Sequence, residues 1–201
     1  MSFEPFVEPL LALLLGYVLG SIPFGLLLTR MAGAGDLREI GSGNIGATNV
    51  LRTGRRSLAA ATLLLDVAKG AAAVLLARWL WPSTETVAAA GAFVGHLYPM
   101  WLMFRGGKGV ATFLGIALAL QWEVGLIYAA VWLGVLAVSR ISSLSGMTAA
   151  VSAPVAAAFF GRFDLTIVFL GFTLLLLWKH RSNLGRLLAG TEPRVGKSTD
   201  G

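Results

Sequence analysis

The chain has 201 residues, of which 56% are hydrophobic and only 13% charged, with 25 glycines and no cysteine. Soluble domains carry about a quarter charged residues, so this balance, with a mean hydropathy of +0.77, excludes an ordinary soluble domain and the disordered, collagen-like and disulfide-rich classes. The lack of cysteine removes thiol nucleophiles and Cys-ligated metals, and the net charge of +6 reads as membrane orientation rather than affinity for nucleic acid.

Hydropathy predicts seven apolar segments in order, at 6–29, 57–80, 87–104, 110–120, 124–138, 146–160 and 165–178. The fold class expected is therefore an all-α polytopic membrane protein with seven transmembrane helices. It forms one integral membrane domain over 1–201, with 190–201 a flexible tail and no internal repeat. The opening Met-Ser-Phe-Glu-Pro has no positive n-region, so the first segment reads as a retained span rather than a cleaved signal peptide. Thirteen of the 16 basic residues fall in 30–56, 105–109, 139–145 and from Lys179 onward. Arg78 and Arg162 lie on the other side, and Lys69 lies within the second segment. The positive-inside rule then puts the N-terminus outside and the C-terminus in the cytoplasm. Segment 110–120 covers about 17 Å of a hydrocarbon core roughly 30 Å thick. Either its flanks enter the membrane, the bilayer thins, or the third and fourth segments form a re-entrant pair.

The first polar loop reads Gly41-Ser42-Gly43-Asn44-Ile45-Gly46-Ala47-Thr48-Asn49-Val50-Leu51-Arg52. Its glycines admit left-handed turns whose successive N–H groups form an anion-binding nest. Ser42, Asn44, Thr48 and Asn49 add neutral polar groups, and Arg52 adds a fork suited to phosphate. The alternative is a flexible Gly/Ser/Asn loop. Further on, Arg105-Gly106-Gly107-Lys108-Gly109 opens the fourth segment. A glycine turn at a helix N-terminus offers free amides and the positive dipole end, and Lys108 adds a charge. The spacing is not a Walker A motif, so it supports phosphate binding without nucleotide hydrolysis; a positive-inside anchor with glycine hinges is the alternative.

Between these loops and the C-terminal end, Ser142, Ser143 and Ser145 read as caps of the sixth segment, with ligand contact the lesser reading for Ser142 and Ser143. The last segment exits as Lys179-His180-Arg181-Ser182-Asn183, with Arg186 and Glu192 following. If the helix continues, His180, Asn183 and Arg186 share a face. His180 is then a base, a phosphate donor or an orienting group, against the simpler reading of a solvated helix end. Asp66 and Lys69 sit three residues apart within one span and are expected to pair with each other as a structural element. His96 reads as a packed group beside a Pro99 kink. The His-x₄-Asp pair, the Gly-x-Ser-x-Gly elbow and the His-Glu-x-x-His zinc motif are all missing. No metal site is expected, and catalysis would rest on positioned donors and an activated substrate.

Three motifs occur in order: Gly-Ser-Gly-Asn-x-Gly-Ala-Thr-Asn-Val-x-Arg, Gly-His-x-x-Pro-x₄-Phe-x-Gly-Gly-Lys-Gly-Val-Ala-Thr and Lys-His-Arg-x-Asn-x-x-Arg-x-x-x-Gly-x-Glu. Together they resemble the cytoplasmic motifs of the bacterial acyl-phosphate:glycerol-3-phosphate acyltransferases, the PlsY family, over nearly the whole chain and without departure at the motif positions. The resemblance implies transfer of a fatty acyl group from acyl phosphate to the 1-hydroxyl of glycerol 3-phosphate in bacterial phospholipid synthesis. Its products are lysophosphatidic acid and phosphate. It implies no cofactor, no metal, no acyl-CoA and no covalent acyl-enzyme. Membrane lipid and the acyl-phosphate-producing enzyme PlsX are the implied partners, with no nucleic acid, in the bacterial cytoplasmic membrane with the site facing the cytoplasm.

By motif position, Ser42, Arg52, Lys108, His180 and Asn183 are the implied catalytic residues. Gly43, Asn44, Thr48, Asn49, Gly106, Gly107, Gly109, Ser142 and Ser143 are the candidate substrate and phosphate contacts. Glu192 is implied to be structural. Either a substrate phosphate oxygen or His180 takes the hydroxyl proton. The rival class is a small anion transporter, which would show repeats and binding residues near the midplane; here the candidates crowd onto one face.

Overall fold

The computed structural model describes residues 4–196. Positions 197–201, and with them the expected cytoplasmic end of the chain, lie outside the described residues. Among the described residues the regular elements are all helical. They are α1 Glu4–Gly20, α2 Phe24–Met31, α3 Ala47–Leu51, α4 Arg56–Leu80, α5 Glu85–Leu97, α6 Val110–Leu120, α7 Trp122–Ser139, α8 Ser142–Phe159, α9 Phe163–Lys179 and α10 Arg181–Leu188.

Four stretches are long and apolar enough to cross a bilayer: Phe6–Met31, Arg56–Leu80, Trp122–Ser139 and Ser142–Phe159. A fifth arises if α9 and α10, bent by 62°, count as one. With 13 and 11 residues, α5 and α6 are shorter. Two of the seven expected segments differ in detail. The first is broken at Ser21–Pro23, since Pro23 has no N–H to continue the helix. The third ends at Leu97 instead of kinking, because Pro99 forces Tyr98 out of the helical region, to φ −139° and ψ 59°. A 3-10 turn, Met100–Leu102, follows.

The helices pack as two compact units, Met1–Leu120 and Gln121–Gly201. In the first unit α1 lies against α5 along a seam of small residues. A side chain on Gly16 or Gly20 would overlap the carbonyl oxygens of Ala88 or Ala92, and one on Gly91 or Gly95 those of Leu13 or Tyr17. The two backbones are thus in direct contact, which glycines four residues apart on each helix permit. The same device joins α4 to α6, where Gly70 meets the Thr112 carbonyl and Gly115 that of Val67. In the second unit α8 packs against both α7 and α9. Its buried face is Ala149, Ala150, Ala153, Ala156 and Ala157, and the Thr173 hydroxyl donates to the Ala150 carbonyl at 2.7 Å. Large apolar side chains such as Leu64, Trp79, Val138 and Ile167 stand exposed on the helices. An apolar surface of that extent suits lipid rather than water.

Breaking the first apolar stretch frees backbone carbonyls in apolar surroundings, where each needs a donor. Trp101 Nε1 donates to the Ser21 carbonyl at 2.9 Å, and Lys69 Nζ donates to that of Ile22 at 2.7 Å. The Tyr17 hydroxyl donates to the Tyr98 carbonyl at 2.9 Å and accepts the Met100 N–H at 2.9 Å, tying the break to the turn after α5. The expected Asp66–Lys69 pair is present at 2.7 Å, with both side chains almost fully buried. Lys69 is therefore shared between its carboxylate and the helix break. The two basic residues set apart from the cationic loops are also engaged: Arg78 donates to the Ala119 carbonyl, and Arg162 bonds Gln121 and Asp164.

Lys69→Met should strand a buried carboxylate and leave the Ile22 carbonyl without its donor. The expected loss is about 3–5 kcal/mol, the cost of breaking one side of a buried ion pair. It would be read as a lower thermal unfolding midpoint in detergent. Asp66→Leu combined with Lys69→Met should recover part of that loss but not all of it, because the carbonyl still lacks its donor.

Candidate active site

The first polar loop is built on Asn49, which is 2% exposed. Its Nδ2 donates to the carbonyls of Leu37 at 3.0 Å and Ile40 at 2.9 Å, and its Oδ1 accepts the Ser42 N–H at 3.1 Å. The Ser42 hydroxyl and Arg52 Nη1 reach the same oxygen at 3.4 Å. Asn49 thus holds the loop from below and places Ser42 and Arg52, both exposed, side by side above it. Gly41 and Gly43 adopt φ of +54° and +67°, and a side chain on Gly41 would meet Arg52 Nη1 at 2.7 Å. Asn44 Oδ1 accepts the Gly46 N–H at 3.0 Å, a local turn closed by its own side chain. Thr48 stands exposed on the short helix α3.

The base of this loop is closed by charge. Asp36 accepts from Arg38 Nη2 at 2.6 Å and Arg30 Nη2 at 2.8 Å. The Arg38 guanidinium and N–H, with Arg30 behind them, hold the Asp36 carboxyl well below the usual carboxylate range. It is committed to the loop and is a poor proton acceptor. Beneath it Leu26, Leu37, Ile45, Val50 and Ala59 form a small core, against which Leu102 of the 3-10 turn also packs.

The glycine loop departs from the free amides expected of it. Gly106 N–H donates to the Leu97 carbonyl at 3.2 Å and Gly107 N–H to that of His96 at 3.0 Å. These two amides satisfy the C-terminal carbonyls of α5 and are not offered to an anion. Gly109, with φ +90°, packs on Phe93, where a side chain would lie 2.5 Å from Cε2. Lys108 projects half-buried from this turn. His96 is packed, as expected, at 4% exposure, with Nδ1 3.8 Å from Asp66 Oδ1.

In the second unit the organising group is Glu192. Its Oε1 accepts from the Ser143 hydroxyl and from Asn183 Nδ2, both at 2.6 Å, and its Oε2 accepts Arg186 Nε at 2.7 Å. Burial alone would raise its carboxyl, but the bonds from Ser143, Asn183 and Arg186 outweigh that and hold it below its ordinary value. The chain remains tied beyond the start expected for a flexible tail, with Val195 N–H donating to the Arg140 carbonyl at 2.7 Å. The serines do not cap α8 as expected. Ile141 takes the cap position, Ser145 donates back to its carbonyl, and Ser143 is drawn to Glu192, with Ser142 in the first turn.

His180 is not a solvated helix end; it is 3% exposed at the bend between α9 and α10. Its Nδ1 lies 2.8 Å from the Leu176 carbonyl. A carbonyl only accepts, so Nδ1 carries the hydrogen. After the bend, Asn183 and Arg186 lie one turn apart on α10 and converge on Glu192. Among the described residues no group of three His, Cys, Asp or Glu side chains forms a metal cage.

A model of the family described as glycerol-3-phosphate acyltransferase matches residues 10–190. The chain belongs to the glycerol-3-phosphate acyltransferase family. It is 57% identical over 187 residues to the glycerol-3-phosphate acyltransferase of Mesorhizobium japonicum, covering 93% of this chain and 96% of that one. With the enzyme of Erythrobacter litoralis it shares 55% over 190 residues, covering 94% and 96%. Two crystal structures of PlsY, an integral membrane glycerol 3-phosphate acyltransferase, have the same fold. The glycerol 3-phosphate form gives a TM-score of 0.88 at 36% identity, covering 94% of this chain and 96% of that chain. The lysophosphatidic acid form gives 0.86 at 34%, covering 94% and 95%. Membership of this acyltransferase family makes the chain an integral membrane enzyme of lipid synthesis.

The Glu192 clasp sets a pH dependence. Its folded value is depressed, so its contribution is fully present above the ordinary value of 4.5 and is lost as pH falls through the lower folded value. Thermal unfolding followed from about pH 6 to 3 should show this loss, and Glu192→Gln should remove that component while lowering the midpoint at neutral pH.

Proposed function

We propose that the enzyme transfers a fatty acyl group from acyl phosphate to the 1-hydroxyl of glycerol 3-phosphate. The observation that carries this reading is the family match over residues 10–190, together with all three PlsY-type motifs in this chain. In the reaction the hydroxyl oxygen attacks the acyl carbonyl carbon and the bond from that carbon to the phosphate oxygen breaks. The ester formed is lysophosphatidic acid, and phosphate leaves with the electron pair. A mixed anhydride already carries a good leaving group, so no enzymic nucleophile is needed. The work left is alignment and neutralisation of charge.

In this reading Arg52 and Ser42 meet one phosphate through the fork and hydroxyl set above Asn49, with Gly43, Asn44 and Thr48 shaping that loop. Lys108 supplies the second cation from the turn of Gly106, Gly107 and Gly109. His180 and Asn183 hold glycerol 3-phosphate, while Ser142 and Ser143 belong to the segment that carries the Glu192 clasp. Asp36 and Glu192 are both held by arginines, which disfavours either as the base. The hydroxyl proton therefore goes to a substrate phosphate oxygen, with His180 Nε2 the alternative. No metal or cofactor takes part. The chain acts as one domain with seven spans, its N-terminus outside and its C-terminus and site on the cytoplasmic face of the bacterial inner membrane. There the acyl-phosphate-producing enzyme PlsX would supply the donor.

Purified protein should form lysophosphatidic acid from acyl phosphate and labelled glycerol 3-phosphate, and EDTA should leave the rate unchanged. Activity with acyl-CoA alone would refute the donor. Arg52→Ala and Lys108→Ala should each lower kcat/KM roughly ten- to a hundred-fold, the scale of one charge-assisted hydrogen bond. Arg52→Lys should recover little, because a point charge cannot replace the fork. Full activity per folded molecule in both alanine variants would refute the phosphate roles.

A further inference from the structure

Two different constraints can require a glycine in a loop beside a substrate: the ligand needs the space, or the protein fills it. At Gly107 the space is filled. A side chain there would overlap His96 Nε2 and lie 2.7 Å from Cε1 and 3.0 Å from Cδ2. The Gly107 N–H is bonded to the His96 carbonyl at 3.0 Å. At Gly106 a side chain would overlap the His96 carbonyl oxygen and lie 2.5 Å from Pro99 Cδ. Both glycines thus accommodate the last turn of α5. The opposite edge of the imidazole, at Nδ1, faces Asp66 at 3.8 Å, and Asp66 is held by Lys69 at 2.7 Å. The ring stands between a buried ion pair and the backbone that carries Lys108.

We propose that His96 is a positioning residue: packed with its Nδ1 edge toward Asp66 and its Nε2 edge against Gly107, its imidazole fixes the path of the Gly106–Lys108 turn and hence the place of the Lys108 ammonium. Gly107 is glycine to receive that ring, not to admit substrate. The motif residue His96, which the proposed chemistry leaves without a task, thereby acts on the reaction through Lys108. This rests on the phosphate role proposed for Lys108.

The test is a double-mutant cycle on the full-length protein with His96→Ala, Gly107→Ala and the pair, reading kcat, KM and thermal midpoint. Gly107→Ala alone should lower kcat/KM at least roughly ten-fold, and adding His96→Ala should restore the pair to near the level of His96→Ala alone, a strong coupling between touching residues. His96→Ala should raise KM for one of the phosphorylated substrates per folded molecule. If Gly107→Ala is as damaging in the His96→Ala background as it is with His96 in place, the proposal is wrong. It is also wrong if His96→Ala lowers only the folded fraction and leaves KM unchanged. Should His96→Ala not accumulate, His96→Asn, whose shorter side chain withdraws from Gly107, serves the same cycle. A wild-type protein with no acyl transfer would overturn the proposed function instead, and coupling in the thermal midpoints would still decide the contact.

Discussion

A single ammonium group carries much of the first unit. Lys69 Nζ lies 2.7 Å from the Ile22 carbonyl and 2.7 Å from the Asp66 carboxylate. The first apolar stretch breaks at Pro23, and a break in apolar surroundings persists only if its carbonyls are met. Lys69 meets one from α4, while Asp66 keeps the cation compensated. The helix resumes after the break as α2, which leads directly into the polar loop that carries Ser42 and Arg52. Asp66 also faces His96, so the same pair reaches the glycine loop from its other side. The Phe24 ring, 5.7 Å from Nζ, adds a cation–π contact on the first residue of α2.

Glycine serves two purposes that a sequence pattern does not separate. In the loop after α2, Gly41 and Gly43 take left-handed φ so that the chain can fold around Asn49. At Gly16, Gly20, Gly91 and Gly95 the backbone is ordinary helix, and the residue is small because another backbone lies where a side chain would be. Gly106 belongs to the second kind, and at Gly107 the His96 imidazole takes the place of a neighbouring backbone, although both sit in a loop that looks like the first.

The helices were legible because long apolar runs leave few alternatives: 110–120 coincides with α6, and the runs after it begin and end within a few residues of α7, α8 and α9. The breaks at Pro23 and Pro99 were less so, since hydropathy averages over a proline inside an apolar run. Asp66 and Lys69 at a three-residue spacing correctly implied a pair, but nothing local shows that Lys69 also serves a carbonyl 47 positions earlier in the chain. At the candidate site the motifs did not show which partners tie each loop in place. The amides of Gly106 and Gly107 are spent on the end of the preceding helix α5, and Ser143 answers to Glu192, 49 positions later in the chain. A solvated helix end was one reading of His180 beside Lys179 and Arg181; at the bend after α9 it is buried, while Arg181 stays exposed and Lys179 half-buried.

The seam between α1 and α5 has a thermodynamic character of its own. Glycine and alanine have no rotamers to freeze, so bringing these helices together loses almost no side-chain entropy. In lipid there is also little water to release, and the attraction is left to dispersion and to Cα–H groups facing carbonyl oxygens. Such an interface is enthalpic and short-ranged. It tolerates cooling, which weakens contacts driven by the release of water, but a separation of even an ångström forfeits much of it.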